Sequence, residues 1–415
     1  MPTRPIAKKI VKRLQEAGYI CYFAGGWVRD YLMKRPSDDI DIATNASVET
    51  VQELFPKTVP VGIAFGIVIV VEEGHPFEVA TFRKDRSYAD GRRPQGFDPA
   101  TPEEDAVRRD FTINGMFFDP LSEKLYDYVN GQIDIKARIV RAIGDPHARF
   151  NEDRLRMMRA VRYATRFDFE LDHATRQAIL AHADNLLPAV AIERIWQEFK
   201  KMSQFAHFDL GLIELHRLGL LPTIFPQLRE VSIEEIEKRT APIAAFPQGS
   251  PAIAEMLELF PRLSLDETLE LCEFLKLSRE EKSLAEDIHE AFALLYMPQD
   301  WQEGLEPFEW ARFYAKPHTP LCLQIFAARL PISLREAWLA THQARMLTLH
   351  LPIERMRTRR PLVQAEDLLR SGIAPGPNLG KLLAEAERLS VNESIESKKE
   401  LLQRLTQLPI WPNGR

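Results

Sequence analysis

β-type sequence in this chain stops near residue 143, and nothing like it returns in the long remainder. Before that point, short runs rich in β-branched residues mix with helical patterns: residues 63–71 read IAFGIVIVV, and residues 77–82 alternate as FEVATF. Beyond about residue 150, amphipathic segments follow at 152–166, 173–183, 191–203, 210–218, 265–274, 279–295, 364–370, 381–386 and 398–407. That division dictates an α+β chain, with a small N-terminal head built on a mixed β-sheet and an all-helical remainder. The proline-bearing interval 241–251 reads as a linker. At 415 residues the chain exceeds one ordinary core, so two to four domains are expected.

Several classes fall away. No apolar stretch approaches the roughly 20 residues that span a bilayer. Residues 5–17 set Lys8, Lys9, Lys12 and Arg13 among apolar residues at helical spacing, without a signal-peptide core, and read as a first surface helix. Cys21, Cys272 and Cys322 are far apart in apolar surroundings, which points to buried thiols in a reducing cytoplasm rather than to a disulfide framework or zinc cluster. The net charge of −6 argues against nonspecific coating of nucleic acid but leaves room for a local basic groove.

The chemistry concentrates in the head. Tyr22, Phe23 and Ala24 read as the end of a buried strand, Gly25 and Gly26 as a turn, and residues 28–33 as a helix start. Such a turn offers free N–H groups and lets a phosphate approach the backbone, with Arg29 positioned to add a bidentate contact. Nine residues on, Asp39-Ile40-Asp41 reads as strand, placing both carboxylates on one face and Ile40 toward the core. Paired carboxylates of this kind suit two divalent cations about 3.5–4 Å apart, the arrangement for in-line phosphoryl transfer. A lone glycine pair or a lone DxD is usually a loop or a solvated strand end; the order and spacing of the two together favour function. Glu78 could add a third carboxylate from a neighbouring strand, or simply face solvent.

Three further segments carry charge in patterns of interest. Residues 84–105 form a long polar loop, with Arg92 and Arg93 the candidate phosphate or RNA contacts. In RRDFTIN (108–114), Arg109 could hold a triphosphate and Asp110 could accept from a ribose hydroxyl; an N-cap role for Asp110 or Thr112 is the plainer alternative. Taken as one helix from residue 152, Glu152, Asp153, Arg156 and Arg159 fall within an arc of roughly 120°. Arg162 lies beyond its edge and Arg154 on the opposite side. A surface helix laced with acid-to-Arg pairs would show the same spacing. Against it, the ribbon of carboxylates and guanidiniums opposes apolar Leu155, Met158 and Val161, and has the donors and acceptors to read a base edge.

These elements, in this order, resemble the bacterial-type (class II) CCA-adding tRNA nucleotidyltransferase and poly(A) polymerase family of the DNA polymerase β superfamily. The resemblance rests on GGWVRDYLMKRPSDDIDIAT (25–44), EVATFR (78–83), RRDFTIN (108–114), DYVNGQIDIKARIVRAIGDP (127–146) and EDRLRMMRAVRYA (152–164). Weaker matches run through ERIWQEFKKM (193–202), GLLPTIFPQL (219–228) and DLLRSGIAPGPNLGKLL (367–383), so it covers nearly the whole chain.

The resemblance implies a nucleotidyltransferase head over residues 1–143, a helical neck with the base-recognition helix over 144–230, a body over 231–345 and a tRNA-binding tail over 346–415. It makes Asp39 and Asp41 the catalytic, Mg²⁺-binding carboxylates. It gives Gly25, Gly26, Arg29 and Arg109 to the triphosphate and Asp110 to the ribose. Asp153 and Arg156, with Glu152 beside them and Arg159 and Arg162 in support, would pair with the base as a protein template. Asp127, Gly131 and Arg138 would form the hinge by which the pocket changes from cytosine to adenine. The implied activity is template-independent addition of CCA to tRNA 3′ ends from CTP and ATP, with the tRNA acceptor arm as partner, no membrane, and the cytoplasm as location. Poly(A) polymerase and A-adding tRNA nucleotidyltransferase are the alternatives.

Two positions depart from the family pattern: Gly115 stands where many relatives carry alanine, and Lys34 where a glycine is common. The full-length polar loop disfavours a relative that adds only CC. No appended His-Asp phosphohydrolase segment is evident.

Overall fold

The computed structural model describes residues 3–62, 65–85, 96–298, 301–302 and 304–412. They form two compact units, Met1–Lys238 and Arg239–Arg415. The α+β reading holds: among the described residues every strand lies in the first unit, and the described part of the second is helical.

The head opens with α1 (Thr3–Glu16), whose Ile6, Ala7, Ile10, Val11 and Leu14 recur at helical spacing and are buried. Then come β1 (Cys21–Ala24), α2 (Gly26–Leu32), β2 (Asp41–Thr44), α3 (Val48–Leu54), β3 (Thr58–Val59), β4 (Ile67–Glu72) and β5 (His75–Thr81). A two-stranded ribbon, β6 (Arg83–Asp85) with β7 (Phe97–Pro99), precedes α4 (Pro102–Arg108), β8 (Met116–Asp119), β9 (Lys124–Asp127) and α5 (Gly131–Ala137). The seven-stranded sheet runs β3-β4-β5-β2-β1-β8-β9. It is mixed: β2 and β5 pair in parallel and the other neighbours are antiparallel. One face, with Phe23, Ile42, Val79 and Phe118, packs on α1, α2 and α3 as the main core. The other carries a smaller cluster of Ala24, Ala43, Phe82, Ala106 and Phe117, and bears the acidic residues described below. Arg92 and Arg93 lie outside the described residues.

The helical part of this unit contains α6 (Pro146–Glu152), α7 (Leu155–Phe167), α8 (His173–His182), α9 (Ile192–Ser203) and α10 (Phe208–Arg217). Helix α9 buries Ile195, Trp196, Phe199 and Met202, and α7 packs on both α9 and α10.

In the second unit the structure adds helices that periodicity did not show: Pro307–Ala315, Thr319–Ala328, Ile332–Thr348 and His350–Thr358. Pro307 and Pro320 sit in first turns, where a missing N–H costs no helical bond, so prolines that look like breaks are starts. Ile332–Thr348 buries only His342, so it has no apolar stripe to detect. The interval 241–251 is not an open linker: residues Ala241–Ala245 form a 3-10 turn that buries Ile243. All three cysteines are buried and free, and no helix among the described residues is long and apolar enough to cross a membrane.

Candidate active site

The turn between β1 and α2 needs glycine for two reasons. Gly25 has φ 64, a left-handed conformation, and a side chain there would come within 3.1 Å of Arg109 Nη1 and 3.6 Å of Asp41 Oδ2. Its absence brings a guanidinium and a carboxylate to the same few ångströms of backbone. Asp41 opens β2 opposite Ala24, Ile40 is buried as its alternation requires, and Asp39 lies exposed just ahead of the strand rather than within it. Parallel pairing of Ile42 with Val79 puts Glu78 beside Asp41. Burial pushes the Asp41 carboxyl up to about 6, with the charges of Glu78 and Asp39 adding and Arg109 opposing. Among the described residues no three His, Cys, Asp or Glu side chains are grouped to hold a metal alone. The crowded carboxylates nonetheless fit a divalent cation whose shell is completed by substrate phosphates, the usual habit of Mg²⁺.

Arg109 follows α4 and is aimed by Asp105, whose Oδ2 accepts from its Nε at 3.1 Å and Nη2 at 3.0 Å. Burial alone would raise the Asp105 carboxyl, but Arg109, Arg108 and the Arg83 N–H hold it below the usual range. Asp110 is fully engaged: Oδ1 accepts from the Phe111 N–H (2.8 Å) and Asn114 Nδ2 (3.0 Å), and Oδ2 from Arg159. Here its partner is protein, so a ribose hydroxyl would have to share or displace one of these donors. Arg29, expected to add a bidentate phosphate contact, lines the cavity with its donors already engaged. It is buried, with Nε on Asp30 Oδ1 at 2.9 Å and Nη1 on Asn114 Oδ1 at 2.5 Å.

The segment from Glu152 is not one helix. α6 ends at Glu152, Asp153 is extended (φ −147, ψ 104), and α7 begins at Leu155. The break has a local cause: the Asp153 carboxylate accepts from the Leu155 N–H at 3.1 Å, satisfying a donor that continued helix would have used. Asp153 Oδ2 also accepts from Arg194 Nη2 at 2.9 Å. Glu152 turns to Arg156 (2.6 Å) and Arg149 (2.7 Å) and lies off the cavity wall. Arg162 was expected beyond the edge of the ribbon; it lines the cavity with Arg156 and Arg159, its Nε 2.6 Å from buried Glu198.

These residues enclose a cavity of about 920 Å³. Gly25, Gly26, Arg29, Asp39 and Asp41 line it from the β1–α2 turn, α2 and the start of β2, and Arg109 and Asp110 from the segment after α4. Asp153, Arg156, Arg159 and Arg162 come from the helical wall. Ten Arg or Lys side chains line it against five carboxylates, so the cavity is built for an anion despite the acidic chain. α9 supplies a wall that the sequence reading left unassigned: Arg194, Gln197, Glu198 and Lys201, at i, i+3, i+4 and i+7. That polar stripe, opposite the buried one, was the available signal.

The proposed hinge residues occupy strict local positions. Asp127 accepts from the N–H groups of Gly131 (2.9 Å) and Gln132 (2.9 Å), and a side chain at Gly131 would meet Thr112 O at 2.4 Å. Arg138 ends α5 with φ 61 and bonds Asp168 O at 2.8 Å.

Comparison with known proteins agrees in extent. Residues 21–141 match the poly A polymerase head domain, and residues 168–231 match the probable RNA and SrmB-binding site of polymerase A. The chain is 32% identical over 398 residues to the CCA-adding enzyme of Pediococcus pentosaceus, covering 94% of each. It is 31% identical over 411 residues to that of Lactobacillus helveticus, covering 96% of this chain and 95% of the other. The crystal structure of the Bacillus stearothermophilus CCA-adding enzyme in complex with CTP superposes with a TM-score of 0.80 at 29% identity, covering 97% of this chain and 98% of that one.

Proposed function

This chain belongs to the CCA-adding enzyme family of nucleotidyltransferases, and from that premise we propose that it adds C, C and A in turn to tRNA 3′ ends from CTP and ATP. The observation that carries this reading is one cavity that joins the Asp39–Asp41 carboxylates to the Asp153–Arg156 pair across an arginine-rich wall. A two-metal nucleotidyl transfer needs the first group, and choice of a base without a template needs the second.

Asp39 and Asp41 would hold Mg²⁺, which when bound lowers the pKa of the RNA 3′-hydroxyl and neutralises charge on the leaving pyrophosphate. Gly25 and Gly26 let the triphosphate approach the turn, and Arg109, aimed by Asp105, donates to it. Asp110 serves the ribose and is kept ionised by Arg159. Asp153 accepts from the exocyclic amine shared by cytosine and adenine, while Arg156, steadied by Glu152, donates to a ring acceptor. A base that cannot complete both contacts is rejected. The tRNA acceptor arm is the polynucleotide partner and the cytoplasm the location. We assign residues 1–143 to the head, 144–230 to the neck, 231–345 to the body and 346–415 to the tail.

The test is extension of tRNA transcripts ending before CCA, after C and after CC, with CTP and ATP singly and together. Addition of C, C and one terminal A supports the assignment. Long A tails on unrelated RNA would point instead to a poly(A) polymerase, and A addition alone to an A-adding enzyme. Asp39→Ala abolishes incorporation under any of these readings.

A further inference from the structure

Arg166, near the end of α7, lines the same cavity but has no role in the scheme above. Its Nε is buried and meets no hydrogen-bond partner. Its nearest carboxylate oxygen, Asp30 Oδ2, is 3.9 Å from Nη2. Asp30 is committed elsewhere, with Oδ1 held by Arg29 at 2.9 Å from Nε and 2.8 Å from Nη2. What holds Arg166 is aromatic: its guanidinium lies 4.9 Å from the Phe167 centroid and 4.1 Å from that of Phe205. The Arg29 guanidinium lies 4.5 Å and that of Arg35 5.2 Å from the same Phe167 ring, so three cations share one ring, and Arg29 and Arg166 share one carboxylate, Asp30. Rings position a guanidinium without using its N–H donors. Two guanidiniums crowded on a cavity wall with one counter-charge make a receptor for an anion that arrives from the cavity.

The position says which part of the ligand that is. At about 100° per residue, Arg166 falls inside the arc that holds Arg156, Arg159 and Arg162. At about 1.5 Å rise per residue it stands roughly 15 Å along α7 from Arg156, the length scale of an extended nucleoside triphosphate. Gly26 of the β1–α2 turn, whose added Cβ would lie 3.5 Å from Arg29 Nη2, lines the same cavity, and Arg166 Nη2 lies 3.9 Å from Asp30 Oδ2 on the helix that this turn opens.

We propose that Arg166 receives the terminal phosphates of the incoming CTP or ATP, and then the departing pyrophosphate, a role that rests on the nucleotidyl-transfer reading. It makes the contact independent of the base, since the phosphates are common to both substrates. No bond to the protein forms; the side chain contributes charge and N–H donors.

The experiment measures binding of CTP, ATP, CMP and inorganic pyrophosphate, with Mg²⁺ and without RNA, to the full chain and to its Arg166→Ala and Arg166→Lys variants. Arg166→Ala weakens CTP, ATP and pyrophosphate about tenfold, the scale of one charge-assisted hydrogen bond, and leaves CMP unchanged. Lysine restores part of the loss. In turnover, KM for both nucleotides rises together while the C-then-A order is kept. Affinities for CTP and pyrophosphate within about twofold of the parent protein overturn the proposal. So does an equal loss for CMP, which marks a collapsed pocket, or a rise in KM for tRNA alone, which marks an RNA phosphate. If the alanine variant misfolds, Arg166→Gln and the lysine variant decide by the same comparison. Failure of the parent protein to extend tRNA sinks the nucleotidyl-transfer reading itself, whereas normal extension with unchanged Arg166→Ala binding sinks only this role.

Discussion

Arg159 grips Asp110 with two nitrogens on one oxygen: its Nε lies 2.8 Å and its Nη2 2.5 Å from Oδ2. Burial alone would raise the Asp110 carboxyl, yet the guanidinium, helped by the Asn114 amide, holds it down to about 2. The same pair ties the strand-side loop after α4 to α7, so it is both a wall of the cavity and a fastener between two elements. Asp110→Asn leaves a half-buried cation without its counter-charge and costs about 1–3 kcal/mol of stability. The pH behaviour follows from the sign of the shift. A carboxyl depressed in the folded state stabilises above its unfolded pKa of about 4, and that contribution is lost as pH falls toward 2. Urea midpoints measured from pH 5 to pH 2.5 therefore fall more steeply for the parent protein than for Asp110→Asn. Parallel curves would show that Asp110 gains nothing from Arg159.

Base choice is assigned to Asp153 and Arg156, and both are restrained before any substrate arrives. Asp153 is fixed by the Leu155 N–H and by Arg194, and Arg156 by Glu152 and the Arg149 carbonyl at 3.1 Å. Removing one partner of a bidentate base contact costs about 1–3 kcal/mol of discrimination. Asp153→Ala and Arg156→Ala therefore raise misincorporation of U or G by about tenfold to a hundredfold, read by sequencing extended tRNA. Full fidelity in both variants refutes the protein-template role.

Gly115 has a structural reason in this chain. An added Cβ would lie 2.6 Å from Val129 Cγ2 and 3.1 Å from Ile143 Cδ1. Gly115→Ala overpacks this contact and destabilises by about 1–3 kcal/mol. Val129→Ala in the same chain removes the nearest clash, and the double variant recovers at least about 1 kcal/mol relative to additivity. A thermal-unfolding double-mutant cycle checks this; strict additivity would show that Val129 is not what excludes a side chain at position 115.

The cavity was legible where chemistry dictates residue type and spacing together. Two glycines before Arg29, carboxylates two apart at Asp39 and Asp41, and arginines three apart at 156, 159 and 162 stand out in the sequence, and all of them line the cavity. The α9 wall was not legible, because Arg194, Glu198 and Lys201 opposite a buried stripe look like any solvated helix face until α7 is packed against them. The break at Asp153 was missed for a related reason: helical periodicity survives it, and only the carboxylate bond to the Leu155 N–H reveals it. In the second unit, proline used as a helix starter and a long helix burying little but His342 both defeat a reading based on stripes.

His342 supplies a prediction of opposite electrostatic type in the second unit. Its Nδ1 lies 2.7 Å from the Tyr314 hydroxyl, and its ring lies among Trp338 (4.1 Å), Trp310 (5.6 Å) and Tyr314 (6.0 Å). Burial lowers it to about 4, and the Arg345 charge adds to the effect. The neutral imidazole shares a hydrogen bond with the tyrosine hydroxyl, whereas a charged ring would face a low-polarity cluster with a guanidinium nearby. Folded His342 thus resists protonation that the unfolded chain accepts near pH 6.5, so the unfolded state binds more protons between the two values and stability falls as pH drops through that window. The loss from pH 7 to pH 5 is on the order of 1–2 kcal/mol. His342→Gln, which keeps a hydrogen-bonding group for Tyr314 but cannot titrate, flattens this part of the profile while being somewhat less stable at pH 7. Denaturant unfolding of the full chain at pH 7, 6 and 5 tests it, and an equal fall in both proteins would exclude His342 as the source.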